Sequence, residues 1–227
     1  YKILDEVKKY IDHIIKEKGN DKIIVLAGNP DYDFPPPKEE FLEHLNQNIN
    51  LHKKLASETR EIEHITNLIC GKLKKGGKIL FCGNGGSASD AQHMVAELLV
   101  RLTSNFNRDP LPALSLIQDT STITACGNDY NFDDIFLRNF RGLANKNDVL
   151  FAITTSGNSK NIIKVLKYAN ERNFLTIGLL GNNGGKSQKY CKKSIVVPSK
   201  NTARIQECHI FLGHSILHQV EKKYFKK

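Results

Sequence analysis

His93 and Glu97 stand four residues apart on a stretch that reads as helix, so an imidazole and a carboxylate share one face, one turn apart. Such a pair can share a divalent ion or work as acid and base. By spacing alone it fits a solvent-facing His–Glu contact equally well, and it is not the H-E-x-x-H of zinc proteases. Directly before that helix lies Gly83-Asn84-Gly85-Gly86-Ser87, after the apolar run Lys78–Cys82. Glycines let a backbone approach a ligand, and successive N–H groups at a helix start attract an anion. The loop is neither G-x-G-x-x-G nor a P-loop, because Ala88 holds the third glycine position and no G-K-[ST] follows.

A second turn of this kind is Thr154-Thr155-Ser156-Gly157-Asn158-Ser159. Capping the next helix needs one hydroxyl, a role for Ser159 worth about 1 kcal/mol. The turn carries four, which suits a phosphate monoester with several acceptor oxygens. On the last helical stretch Gln206, Glu207, His209, His214 and His218 are all candidates to reach a pocket, and spacing does not choose among them. Gly127-Asn128-Asp129 reads as a turn, with Asp129 able to accept bonds from sugar hydroxyls if it faces the pocket.

The elements that must position these groups follow from periodicity. Apolar runs at Lys78–Cys82, Ala113–Ile117, Asp148–Thr154, Leu175–Leu180 and Ser194–Val197 are nearly continuous, as strands buried on both faces are. Helical patterns alternate with them at Ala88–Arg101, Ser121–Ala125, Asp133–Leu143, Ser159–Arg172, Lys186–Cys191 and Thr202–Tyr224. The alternation predicts an α/β fold with a doubly wound five-stranded parallel sheet flanked by helices, whose ligands sit at the carboxyl ends of the strands. Lys38–Lys75 precedes it as a long helical segment, with or without an interruption, rich enough in apolar residues to suggest oligomerisation. Further upstream, residues 1–18 have helical spacing, Lys22–Ala27 reads as a strand, and Pro35-Pro36-Pro37 marks a boundary. Two regions result: an N-terminal extension, 1–37, and a main domain, 38–227.

Composition narrows the classes. No apolar run reaches the ~18 residues of a spanning helix, and no signal-peptide pattern opens the chain. Five scattered cysteines without a C-x-x-C pair fit a reduced, cytoplasmic chain, with Cys82 and Cys126 as core residues. The net charge of +9 is mostly lysine, much of it at Lys53–Lys54, Lys72–Lys75, Lys186–Lys200 and Lys222–Lys227, without a single helical stripe or an RNA-binding aromatic motif. It fits an anionic small substrate, or a solvated lysine-rich surface, better than nucleic acid, and nothing points to a membrane.

The segments GGKILFCGNGGSASDAQHMVAEL, GNDYNFDDIF, DVLFAITTSGNS, GLLGNNGGK and TARIQECHIFLGHSILHQVE closely resemble the bacterial phosphoheptose isomerase (sedoheptulose 7-phosphate isomerase) family of the sugar isomerase (SIS), flavodoxin-like fold. The resemblance runs in order and spacing from about Lys38 to the C-terminus. It implies conversion of sedoheptulose 7-phosphate to D-glycero-D-manno-heptose 7-phosphate, the first step of nucleotide-activated heptose synthesis for lipopolysaccharide or capsule. It also implies a cytoplasmic homotetramer with sites between subunits and one zinc per subunit. Carried over by position, it makes His93, Glu97, Gln206 and His214 the zinc set and Glu97 and His214 the acid/base pair. Substrate contacts fall on Asn84, Gly85, Gly86, Ser87, Glu97, Asn128, Asp129, Thr154, Thr155, Ser156, Ser159 and Gln206. Thr154 stands where some relatives have Ser, and Ala203 where some have Asp. The alternative on the same scaffold is a non-catalytic phosphosugar-binding or DnaA-binding regulatory protein, which need not keep His93, Glu97, Gln206 and His214 together.

Overall fold

Alternate residues of a strand point to opposite faces of a sheet. Here Ile79, Phe81, Val149, Phe151 and Ile153 enter one core, and Leu80, Cys82, Leu150 and Ala152 enter another, all of them buried. The computed structural model describes residues 37–225. The helix expected over 1–18 and the strand expected over Lys22–Ala27 lie outside the described residues. The chain divides into two units, Tyr1–Leu45 and Asn46–Lys227. Of the first, residues 37–45 are described and are helical.

In chain order the elements are α1 (Pro37–Leu55), α2 (Thr59–Leu73), β1 (Ile79–Gly83), α3 (Gly86–Leu99), β2 (Ala113–Ser115), α4 (Thr120–Asp129), α5 (Ile135–Leu143), β3 (Val149–Thr154), α6 (Lys160–Glu171), β4 (Leu175–Gly181), β5 (Lys193–Val197) and α7 (Thr202–Phe225). The five strands form one parallel sheet in the order β2-β1-β3-β4-β5. This is the doubly wound, flavodoxin-like arrangement expected, with strand bounds displaced by at most two residues. One face carries α2, α3 and α7, and the other α4, α5 and α6. From β1 the chain runs to β2 at one edge and then, from β3, to the other, so the winding reverses between β1 and β3. The carboxyl ends of β1 and β3 therefore flank the crevice where such sheets bind ligands.

One local expectation left open is decided, and two need revision. The helical stretch over Lys38–Lys75 is interrupted by a 3-10 turn at Ala56–Glu58. There Ser57 Oγ donates to the Lys54 carbonyl (3.0 Å) and Thr59 Oγ1 to that of Ala56 (2.9 Å), hydroxyl bonds that compete with the α-helical ladder. The helix expected over Lys186–Cys191 is 3-10, Gly185–Tyr190, entered through Gly184 and Gly185 at φ 83° and 56°. Gly127-Asn128-Asp129 is not a turn but the end of α4. Asp119 caps that helix by accepting from the Ser121 N–H (2.9 Å), Cys126 anchors it in the core, and Gly127 is carried along at the surface.

Candidate active site

Two helices start at the crevice, α3 after β1 and α6 after β3. Neither has a side-chain N-cap: Gly85 precedes α3, and the Ser159 hydroxyl does not cap α6. The Ser87 and Ala88 N–H groups bond back to the Asn84 and Gly85 carbonyls and the Ile162 N–H to Asn161 Oδ1, yet two positive helix ends converge on one place, which is the electrostatic requirement of an anion site. The loops are tied together by a reciprocal amide pair, in which Asn84 Nδ2 donates to Asn161 Oδ1 and Asn161 Nδ2 to Asn84 Oδ1, both at 2.9 Å. Asn161 is buried, and its Oδ1 also accepts from the Ile162 N–H. Sequence reading passed over Asn161, because an asparagine in a helical first turn carries no signal of a distant partner.

The hydroxyl turn is closed by its own hydrogen bonds. Thr154 Oγ1 accepts from the Gly157 N–H (3.3 Å) and Ser156 Oγ from the Asn158 N–H (3.1 Å), so each keeps its O–H for a ligand oxygen. The Thr155 carbonyl accepts from Asn182 Nδ2 (3.0 Å). Gly157 has φ 64° and a backbone neighbour in Gly185, whose nitrogen would lie 2.9 Å from an added Cβ. Thr154 and Ser87 are buried, Thr155, Ser156, Ser159 and Asn84 are half-buried, and Gly85 and Gly86 are exposed.

Residues far apart in sequence also meet two turns further along α3. His93 Nε2 and His214 Nε2, 121 positions apart, lie 3.0 Å from each other, and His93 Nε2 lies 3.2 Å from Glu97 Oε1. The ligand atoms of His93, Glu97 and His214 all fall within 4.8 Å of one another. Two imidazoles and a carboxylate are a zinc donor set, and donors bonded tetrahedrally at about 2.0–2.1 Å stand about 3.3 Å apart, close to the separations seen. The residues present therefore fit the metal. Burial first, then the neighbouring His93, lowers the His214 pKa, against the opposing pull of Glu97, which favours the neutral ring that a ligand or base requires. Gln206 lies instead against the glycine turn, and a Cβ on Gly86 would stand 2.9 Å from its Cδ.

The structure thus chooses among the candidates of α7. Glu207 pairs with Arg204 and accepts from Asn48 Nδ2 (2.6 Å). His218 bonds Thr103 Oγ1 (3.1 Å). His209 is fully buried, and burial pushes it down to about 4, although the Leu180 carbonyl favours its protonated form. Asn128 and Asp129 are exposed and bond to each other (2.9 Å). Asp129 lines a cleft with Ser121, Tyr130 and Arg138 that shares no residue with the cleft lined by His214. Asp90, three residues before His93, went unremarked in the sequence. Its Oδ2 is buried without a hydrogen bond among the described residues, and burial raises its carboxyl pKa against the pull of His93.

The family model for the SIS domain matches residues 43–181. A curated phosphoheptose isomerase of Campylobacter jejuni is 46% identical over 177 residues, covering 76% of this chain and 94% of that protein. The chain belongs to the phosphoheptose isomerase family. Two solved phosphoheptose isomerases agree with that membership. The one from Neisseria gonorrhoeae is 38% identical with a TM-score of 0.76, covering 82% of this chain and all of that one. The one from Francisella tularensis is 33% identical with a TM-score of 0.78, covering 83% and 100%. No described helix is long and apolar enough to cross a membrane.

Proposed function

We propose that the chain is a phosphoheptose isomerase that converts sedoheptulose 7-phosphate to D-glycero-D-manno-heptose 7-phosphate in the cytoplasm, supplying heptose for surface glycans. The observation that carries this reading is the meeting of His93, Glu97 and His214, the first two on the helix that starts at the glycine turn. A protein that only bound phosphosugars would have no need of that cluster. The catalytic domain is assigned to 38–227, with 1–37 as an extension.

Isomerisation moves one hydrogen between C1 and C2. A carbon acid beside a carbonyl is weak, so a base must stand over the carbon while the oxygens exchange a proton. In our reading Glu97 takes the C1 proton of the ketose, the C1–H electrons form the C1=C2 bond of a cis-enediol, and the C2 oxygen takes up a proton. Glu97 then returns its proton to C2 as the C1 oxygen becomes the carbonyl. His214, neutral at physiological pH, carries the hydroxyl proton between O2 and O1. Thr155, Ser156 and Ser159, with the N-terminus of α6, hold the phosphate, and Asn84, Gly85, Gly86, Ser87 and Thr154 shape the crevice. Fixing the phosphate fixes the reacting carbons. Asn128 and Asp129 reach substrate only if the sites are shared between subunits. His93, Glu97 and His214 would hold one zinc ion per subunit, which when bound supplies positive charge to polarise the sugar oxygens, while Gln206, expected in the same set, faces the glycine turn and is assigned to the substrate.

The assembly we assign is a homotetramer with sites between subunits. Leu99, Val100 and Phe211 are exposed, and Phe211 lines the His214 cleft, so a second copy would cover an apolar margin of the site. Purified protein mixed with sedoheptulose 7-phosphate should form aldose phosphate. Glu97→Gln should keep fold and sugar-phosphate binding while turnover falls about 10²–10⁴-fold. Turnover near wild type in that variant would remove Glu97 as the base.

A further inference from the structure

Beyond the cluster itself, one face of α7 is attached to α3 and the chain that follows it at every turn. His214, His218 and Glu221 recur at i, i+4 and i+7, which places them on one stripe. His214 meets His93, His218 meets Thr103, and Glu221 Oε1 accepts from the Leu102 N–H (3.3 Å) and from Arg108 Nε (2.7 Å). The Arg108 and Glu221 side chains are each 1% exposed. The guanidinium does more than neutralise Glu221. Its Nη2 donates to the carbonyl of Glu97 (2.8 Å), and its Nη1 donates to those of Leu98 (2.8 Å) and Asp109 (3.0 Å).

The last carbonyls of a helix have no partner within it, and a cation there also answers the negative helix end. Arg108 fills both needs for α3 at the residue that supplies the candidate base. Its planar fork bonds both helices at once, which a flexible ammonium does not. A buried ion pair contributes little net stability, and apolar replacements are often neutral or better. Glu221 Oε2 even lacks a hydrogen bond among the described residues. Such a pair is more readily explained by the geometry it imposes than by stability. We propose that Arg108 and Glu221 are positioning residues for the isomerisation, holding the Glu97-bearing helix and the His214-bearing helix in register.

This rests on the functional reading above, and the test separates the two. Wild type, Arg108→Lys and the paired change Arg108→Met with Glu221→Leu are compared for folding, for kcat and KM with sedoheptulose 7-phosphate, and for the NOE between the ring protons of His93 and His214, whose centroids are 5.1 Å apart. The paired variant should fold, keep its KM and lose about 10²-fold in kcat, the effect of a displacement of about 1 Å between reacting groups. Arg108→Lys, which keeps the charge but not the fork, should fall between. An unchanged kcat per folded molecule, or a loss carried wholly by KM, overturns the proposal. Should the paired variant fail to fold, Arg108→Lys carries the same readouts. If wild type itself shows no turnover, the functional reading falls and the NOE decides: its loss in the variants upholds the positioning role, and its persistence overturns it.

Discussion

Gly86→Ala separates the site from the fold. No positive φ is required at Gly86, the first residue of α3, so alanine suits the backbone and should add up to about 0.4–1 kcal/mol by restricting the unfolded chain. Its Cβ, however, would stand 2.9 Å from Gln206 Cδ and nearer still to Nε2. Non-bonded carbons settle at about 3.5–4.0 Å, so the amide must retreat by about 1 Å. Gln206 is half-buried and its end is flexible, so the retreat costs the fold little. A displacement of that size in a group that orients substrate lowers turnover by about 10²-fold, or about 3 kcal/mol of transition-state stabilisation. The assay is kcat with sedoheptulose 7-phosphate beside urea unfolding of the same preparations. Gln206→Ala alone should lose as much, and the double variant no more than either, because both act through one amide. Losses that add, or turnover near wild type in Gly86→Ala, would refute the placement of Gln206 as a working group.

Other outcomes follow from packing and titration. Gly213, beside His214 on α7, faces Met94 of α3, and a Cβ there would lie 2.9 Å from the Met94 sulfur. Gly213→Ala should therefore cost about 1–3 kcal/mol in urea unfolding, and a stability equal to wild type would contradict that close helix contact. His209 has its pKa lowered from 6.5 to about 4, so its stabilising effect is fully present above pH 6.5 and is lost as pH falls towards 4. The shift corresponds to about 3 kcal/mol, so His209→Asn should flatten the fall in unfolding free energy between pH 7 and pH 4 by about that amount. Parallel curves for variant and wild type would show that His209 does not titrate as its burial requires.

Much of the fold was legible because the strands of a doubly covered parallel sheet must be apolar on both faces, and such runs stand out between helical patterns. The two candidate ligand turns were legible for a related reason. Three glycines from the last residue of β1 onward and four hydroxyls from the last residue of β3 onward exceed what a strand-to-helix connection needs. At Gly127-Asn128-Asp129 the same logic failed, since a glycine signals a turn only where no capped and anchored helix carries the chain through it. Asn161 and Arg108 were invisible for another reason. An amide in a first turn and an arginine in a loop acquire meaning only from partners 77 and 113 residues away.

The sequence by itself determined the order of the elements, the alternation that makes the sheet parallel, and the chemistry on offer: two turns whose glycines and hydroxyls suit an anion, and a His/Glu pair at helical spacing. Those are short-range properties, set by backbone periodicity and side-chain type within a turn or two. Only the tertiary structure decided what each of Gln206, Glu207, His209, His214 and His218 meets. α7 crosses α3 where Gly213 admits Met94, and that crossing brings His214 to His93 and Gln206 to Gly86 while turning His209 inward. The rotation of one helix against another is fixed by many buried contacts at once, and no local pattern encodes it.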